Sequence, residues 1–216
     1  MDLISVIMPF YKKREYFKQS LLSAINQTYR NIEIIIIFDD NSKSDIEFIQ
    51  KFLNLDKRIK FINNEKNLGA AISRNKGIET SKGDYVAFLD CDDYWEKDKL
   101  EKQYNFMMDN KILFSHTTYQ IVNEKNEIIG KNKIKKQLNY NELINSCDIG
   151  LSTVLLKKEI LSISKFKKIK TKEDYALWLE LSRNVVSING LDEPLTYWKV
   201  TKNSLSGSFL TKVING

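Results

Sequence analysis

Residues 85–93 read YVAFLDCDD: an apolar run that passes directly into Asp90, Asp92 and Asp93. A short apolar run bounded by polar residues is the pattern of a buried strand, here Tyr85–Leu89. Carboxylates this close repel one another unless a cation or hydrogen-bond donors compensate. Hard divalent cations such as Mn²⁺ or Mg²⁺ take oxygen ligands and bridge to substrate phosphates. On an extended chain, residues two apart point to the same side, so Asp90 and Asp92 suit a shared ion. The competing reading is a polar loop in which Asp93 caps the helix that follows.

Outward from this stretch the pattern alternates. Strands are expected at Leu3–Met8, ended by Pro9, and at Ile32–Phe38 and Ile59–Ile62. Apolar residues at helical spacing predict helices over Arg14–Asn26, Asp45–Leu55, Gly69–Thr80 and Glu96–Asn110. Strand–helix alternation predicts an α/β fold with a mostly parallel, Rossmann-like sheet and helices on both faces. Ligands in such sheets bind at the carboxyl ends of the strands. The polar clusters sit there: Pro9-Phe10-Tyr11, Asp39–Ser42 and Asp90–Asp93.

Beyond Asn110 the pattern becomes mixed. A strand over Lys111–Asn123 enters a hairpin, with a turn at Asn123–Glu127 and a return through Ile128–Ile129. A helix is expected over Asn139–Ser146, a strand over Leu151–Leu156, a helix over Glu173–Arg183, and strands over Val185–Ile188 and Pro194–Val200. No Pro- or Gly-rich linker divides the chain. One domain over 1–216 is expected, with residues 1–110 binding one ligand and residues 111–216 shaping the site.

Composition narrows the classes. The chain is 42% hydrophobic and 29% charged, ordinary for a globular protein. No run reaches the roughly 18 apolar residues of a membrane span, and the start, MDLISVIMPFYKK, is not expected to be a signal peptide, because it has no basic region and its apolar run is short and interrupted by Pro9. Cys91 and Cys147 fit no zinc or redox spacing and read as free thiols of a reducing compartment. His116 is the single histidine and cannot make a zinc cluster alone. A formal charge of +6 favours acidic partners, and Lys165–Lys172 (KFKKIKTK) is the densest basic patch, either a solvated face or a contact for a membrane surface or a phosphorylated acceptor. A basic nucleic-acid-binding module would leave the acidic motifs unexplained, so no nucleic-acid partner is expected. The dinucleotide fingerprint G-x-G-x-x-G is absent. A sugar-1-phosphate nucleotidyltransferase should carry a Gly-rich loop where this chain has Pro-Phe-Tyr.

Three further residues carry two readings each. Asp40 either accepts a hydrogen bond from a base N–H or sugar hydroxyl, or belongs to a turn, Asp40-Asn41-Ser42, that caps the next helix, a role that also suits Asp39. Arg74, one or two turns into the helix after Gly69, either reaches a diphosphate or lies on the surface. Asp174 is either a general base or the acidic member of a capping box with Thr171, and spacing alone favours the cap.

Taken in order, SVIMPFY, Asn26–Tyr29, Asp39–Ser42, Asn67–Gly69 with Arg74, Asn75 and Gly77, Ala87–Asp93 and Glu173–Tyr175 resemble family 2 glycosyltransferases of the GT-A fold. The narrower similarity, in Ile149–Leu156 and Glu173–Leu181, is to small bacterial enzymes of surface-polysaccharide assembly of the teichuronic-acid type. The resemblance implies an inverting, metal-dependent hexosyltransferase using Mn²⁺ or Mg²⁺ and a nucleotide-sugar donor, UDP-linked. It implies a glycan or lipid-linked acceptor, and a cytoplasmic location with peripheral contact at the membrane. Pro9 and Tyr11 are implied to flank the nucleobase, Asp40 to bind it, Arg74 to lie near base or diphosphate, Asp90 to contact ribose or metal, Asp92 to ligate the metal, and Asp174 to act as base. Phe10, Lys12 and Cys91 depart from the family's usual residues without removing a carboxylate.

Overall fold

Ile32–Phe38 is buried at every position, which only a strand covered on both faces requires. This strand, β2, lies second in a sheet whose order is β3-β2-β1-β4-β9-β6-β10-β5. The computed structural model describes residues 1–145, 149–184 and 187–201. The first half comprises β1 (Ile4–Phe10), α1 (Arg14–Ile25), β2, α2 (Lys43–Leu53), β3 (Ile59–Asn63), α3 (Ala70–Thr80), β4 (Tyr85–Phe88), β5 (Tyr94–Trp95) and α4 (Lys99–Asn110). The second comprises β6 (Phe114–Val122), β7 (Ile128–Lys131), β8 (Gln137–Leu138), α5 (Tyr140–Asn145), β9 (Leu155–Lys157), α6 (Glu173–Arg183) and β10 (Ile188–Lys199). Strands β3, β2, β1 and β4 are parallel. Strand β9 runs antiparallel between β4 and β6, and so joins the halves into one sheet.

Each face carries its own core. Phe17, Leu21, Ile49 and Leu100, from α1, α2 and α4, pack on one side. Ala71, Ile78, Leu177 and Trp178, from α3 and α6, pack on the other. Gly77 lets α3 sit close on β1: an added Cβ would lie 2.6 Å from Ile7 Cγ2. Among the described residues no helix is long and apolar enough to cross a membrane.

Four local expectations are corrected. Pro9 does not end β1, because it pairs with Ile37 of β2. Its carbonyl faces the β4 side and accepts from Cys91 Sγ at 3.3 Å, so its missing N–H points past the end of β4 and costs no ladder bond. Leu151–Leu156 is not one strand. Leu151–Thr153 forms a 3₁₀ turn, because Thr153 Oγ1 donates to Gly150 O at 2.6 Å and draws the backbone out of the ladder. The last strands are one element, β10, whose register shifts around Pro194 absorb the proline. Val185 lies outside the described residues, as do Ser146 and Cys147. Finally, Asp90–Asp93 is a turn, closed by Asp93 N–H donating to Asp90 O at 3.0 Å, not an extended segment.

His116 is buried in β6 with neither ring nitrogen hydrogen-bonded. Burial lowers its pKa from 6.5 to about 4. The unfolded chain therefore takes a proton between these values that the folded chain refuses. Stability is expected to fall as pH drops from about 6.5 to about 4, by at most about 1.4 kcal/mol per pH unit. Urea unfolding of the parent and His116→Leu near pH 7 and near pH 5 checks this: the variant loses less stability between the two conditions.

Candidate active site

The carboxyl ends of β1, β2 and β4 lie side by side, and each releases a polar segment at the same sheet edge. Beyond β1, Tyr11 is 43% exposed, with Lys12 Nζ 5.0 Å from its ring centre. Pro9, one pleat back, is held in the sheet.

Beyond β2, the two aspartates divide. Asp39 is a structural anchor. Its carboxylate accepts from Asn64 Nδ2 at 3.0 Å, from the backbone N–H of Leu68 at 2.8 Å and from that of Gly69 at 2.9 Å. Gly69 has φ +93°, a conformation suited to glycine, and it leads into α3. The turn Asp40-Asn41-Ser42 does cap α2, through Ser42, which accepts from Asp45 N–H; Asp39 does not cap it. Asp40 is 5% exposed. Its Oδ1 accepts from Asn41 N–H at 2.8 Å, while Oδ2 is buried with no partner. A buried carboxylate oxygen left unsatisfied costs free energy unless a ligand completes it.

Beyond β4, Asp90 meets Arg74. Arg74 is not a surface residue: its side chain is 6% exposed. Nη2 donates to Asp90 Oδ1 at 2.9 Å and Nη1 to Glu173 Oε1 at 2.5 Å. Burial opposes its charge, and Asp90 with Glu173 more than offset that, so the guanidinium stays protonated. Its ring neighbour is Phe166, 5.5 Å away. Arg74 thus holds the start of α6 against the end of β4.

Asp174 is the second residue of α6. No capping box forms there: the N-cap is Lys172, left-handed at φ +61°, with no side-chain cap bond. A reciprocal box forms instead at α5, between Asn139 and Glu142. Burial raises the Asp174 pKa, opposed by the Tyr175 N–H it accepts and by Arg74.

Asp92 and Asp93 also differ. Asp93 does not cap α4. It accepts from Ser152 Oγ at 2.5 Å and from Lys199 N–H at 3.0 Å, fastening the turn to β10. Burial, then Asp92 and Asp90, push its pKa well up. Asp92 is pushed up by burial and by Asp90, and pulled down by Lys13, whose Nζ lies 2.6 Å from Oδ2. Cys91, between Asp90 and Asp92, points into the core. For a divalent ion, the donor set on offer is small. Among the described residues no group of three His, Cys, Asp or Glu side chains could hold one. Among the described residues no hydrogen bond meets Asp90 Oδ2, and Asp92 already carries a cation. One or two carboxylates completed by substrate phosphates and water is a usual Mg²⁺ arrangement, and these residues fit it.

The pattern of glycosyl transferase family 2 matches residues 5–162. The chain belongs to glycosyl transferase family 2. It is 35% identical over 207 residues to the Bacillus subtilis (strain 168) putative teichuronic acid biosynthesis glycosyltransferase TuaG, covering 95% of this chain and 82% of that one. It is 38% identical over 189 residues to an Escherichia coli UDP-Glc:alpha-D-GlcNAc-diphosphoundecaprenol beta-1,3-glucosyltransferase, WfgD, covering 87% and 73%. The S. aureus TarS 1-349 complex with UDP-GlcNAc matches with TM-score 0.77 and 19% identity, over 94% of this chain and 60% of that one, which shows a common GT-A fold.

In this family 2 glycosyltransferase, the residues named from the sequence gather at one sheet edge. Tyr11, Asp40, Asp90 and Asp92 gather there, and α6 brings Asp174 to it through the Arg74–Glu173 pair. Pro9 stays inside the sheet, and Arg74 is occupied by two carboxylates. Sequence reasoning missed Lys13, Glu173 and Ser152 as members of the site. Glu173 stood inside the quoted Glu-Asp-Tyr motif, but nothing local linked it to a residue 99 positions away.

Arg74→Leu would leave Asp90 and Glu173 without their cation. The expected loss is about 3 kcal/mol, read as a lower urea midpoint. Arg74→Lys is expected to recover only part of it, because one ammonium cannot reproduce the two-armed bridge.

Proposed function

We propose that this glycosyltransferase moves a sugar, with inversion, from a UDP-linked donor to a hydroxyl of a glycan carried on a lipid diphosphate. The observation that carries the reading is the unpartnered, buried Asp40 Oδ2 at the sheet edge, beside the exposed Tyr11 ring and the Asp90–Asp92 turn. A nucleobase N–H satisfies Asp40, and an aromatic face stacks on the base. The WfgD name supports the donor nucleotide and the acceptor class. In this reading residues 1–110 bind the donor and residues 111–216 face the acceptor.

Asp174 takes the proton of the acceptor hydroxyl. That oxygen bonds to the sugar C1 as the C1–O bond to the diphosphate breaks, and the diphosphate leaves with the electron pair. Asp90 and Asp92 would hold a divalent ion, Mn²⁺ or Mg²⁺, which when bound would supply positive charge where the leaving diphosphate develops negative charge. Arg74 positions both Asp90 and α6. The exposed lysines Lys168, Lys170 and Lys172, just before α6, suit anionic headgroups and support peripheral contact with the membrane that holds the acceptor.

Calorimetry with UDP and Mn²⁺, paired with a transfer assay, tests these roles. Asp40→Ala is expected to weaken UDP binding about tenfold or more while costing little stability, since one buried oxygen has no partner to lose. Asp92→Asn is expected to abolish the Mn²⁺ dependence of UDP binding, and unchanged dependence overturns the metal assignment. Asp174→Asn keeps UDP binding and loses transfer. Because burial raises the Asp174 pKa, transfer in the parent is expected to rise with pH through a value above the ordinary carboxylate range. Normal transfer by Asp174→Asn removes the residue from the chemistry.

A further inference from the structure

Two adjacent lysines leave the end of β1 in different directions. Lys12 has φ +51°, an uncommon conformation for a residue with a side chain, and its Nζ lies over Tyr11. Lys13, the next residue, places its Nζ 2.6 Å from Asp92 Oδ2. Lys13 holds the N-cap position of α1, where an ammonium has no lone pair to offer the helix N–H groups; its Nζ is directed at the aspartate turn instead. The side chains of Lys13 and Asp92 are 28% and 17% exposed, shielded yet reachable from solvent.

The neighbouring cations have other work. Arg74 is spent on Asp90 Oδ1 and Glu173. Lys199 donates to Gln19 Oε1 at 3.0 Å and lies over Tyr16. Among the described residues, Lys13 alone forms an ion pair with Asp92. An ammonium there makes a charge-assisted contact with the oxygen that a divalent ion would need. The two cations compete for one carboxylate, and they repel each other if both are present.

We propose that Lys13 is a positioning residue that guards the metal position. It neutralises Asp92 while the donor is absent, and yields to a divalent ion that arrives with the nucleotide diphosphate. The consequence is ordered chemistry: the diphosphate contributes the oxygens and negative charge that tip Asp92 from the ammonium to the divalent ion. Metal alone binds poorly, and metal with nucleotide binds as a unit. This rests on Asp92 being a metal ligand.

The test is calorimetric titration of Mn²⁺ without nucleotide, and then with saturating UDP. The parent is expected to bind Mn²⁺ weakly alone and tightly with UDP. Lys13→Gln removes the competing charge, so its nucleotide-free Mn²⁺ affinity is expected to rise about tenfold, and the boost from UDP to shrink. Lys13→Arg, which keeps a cation, is expected to resemble the parent. Equal nucleotide-free affinity in the parent and Lys13→Gln overturns the proposal, as does Lys13→Arg behaving like Lys13→Gln. Asp92→Asn combined with Lys13→Gln separates the two readings. Loss of Mn²⁺ binding in the double variant keeps Asp92 as ligand whatever Lys13 does. Retained tight binding moves the metal elsewhere, and both readings fall.

Discussion

The Arg74 guanidinium holds three elements that the chain order keeps apart. It stands on α3, bonds Asp90 beyond β4, and bonds Glu173 at the start of α6. A guanidinium this buried demands anionic partners, and truncating it would strand both carboxylates. The two arms diverge, so one planar group fixes two carboxylates at once. Phe166 lies against that group and also packs on Phe88 and Trp178. Polar bridge and apolar core therefore specify one placement of α6, and Asp174 goes where α6 goes.

The same sheet edge concentrates aspartates and treats each differently. Asp39 is saturated by backbone N–H groups and Asn64, which makes it part of the scaffold. Asp93 is enclosed by Ser152 and the Lys199 N–H, and burial favours its neutral form. Asp90 is paired through one oxygen only, and Asp92 is balanced by a flexible lysine. Asp40 keeps one oxygen unsatisfied. Identical side chains thus become anchors or keep an oxygen open according to what meets their lone pairs. Electrostatic repulsion among them is managed locally rather than by one shared counter-charge.

The elements of the parallel half were legible because burial on both faces leaves unbroken apolar runs, as in Ile32–Phe38, and because helices keep a one-sided stripe, as in Asp45–Leu55. The bounds of α6 were legible for the same reason. Local chemistry misled where two hydrogen-bonding schemes compete. Thr171 and Asp174 have the spacing of a capping box, yet Lys172 turns left-handed and the box forms at Asn139–Glu142 instead. Ser152 and Thr153 read as strand residues, yet their hydroxyls make other bonds. Pro9 reads as a terminator, yet the ladder on its N–H side has already ended.

Sequence by itself determined the strand–helix alternation and the polar clusters after β1, β2 and β4, and hence the sheet edge at which they gather. These follow from periodicity and from the short reach of chain connectivity. Only the tertiary structure decided which aspartate is an anchor and which is open, that Arg74 is buried rather than exposed, and that Lys13 faces Asp92. Those outcomes depend on contacts between residues 16, 79 and 99 positions apart, whose energies arise from burial and pairing that no local pattern encodes.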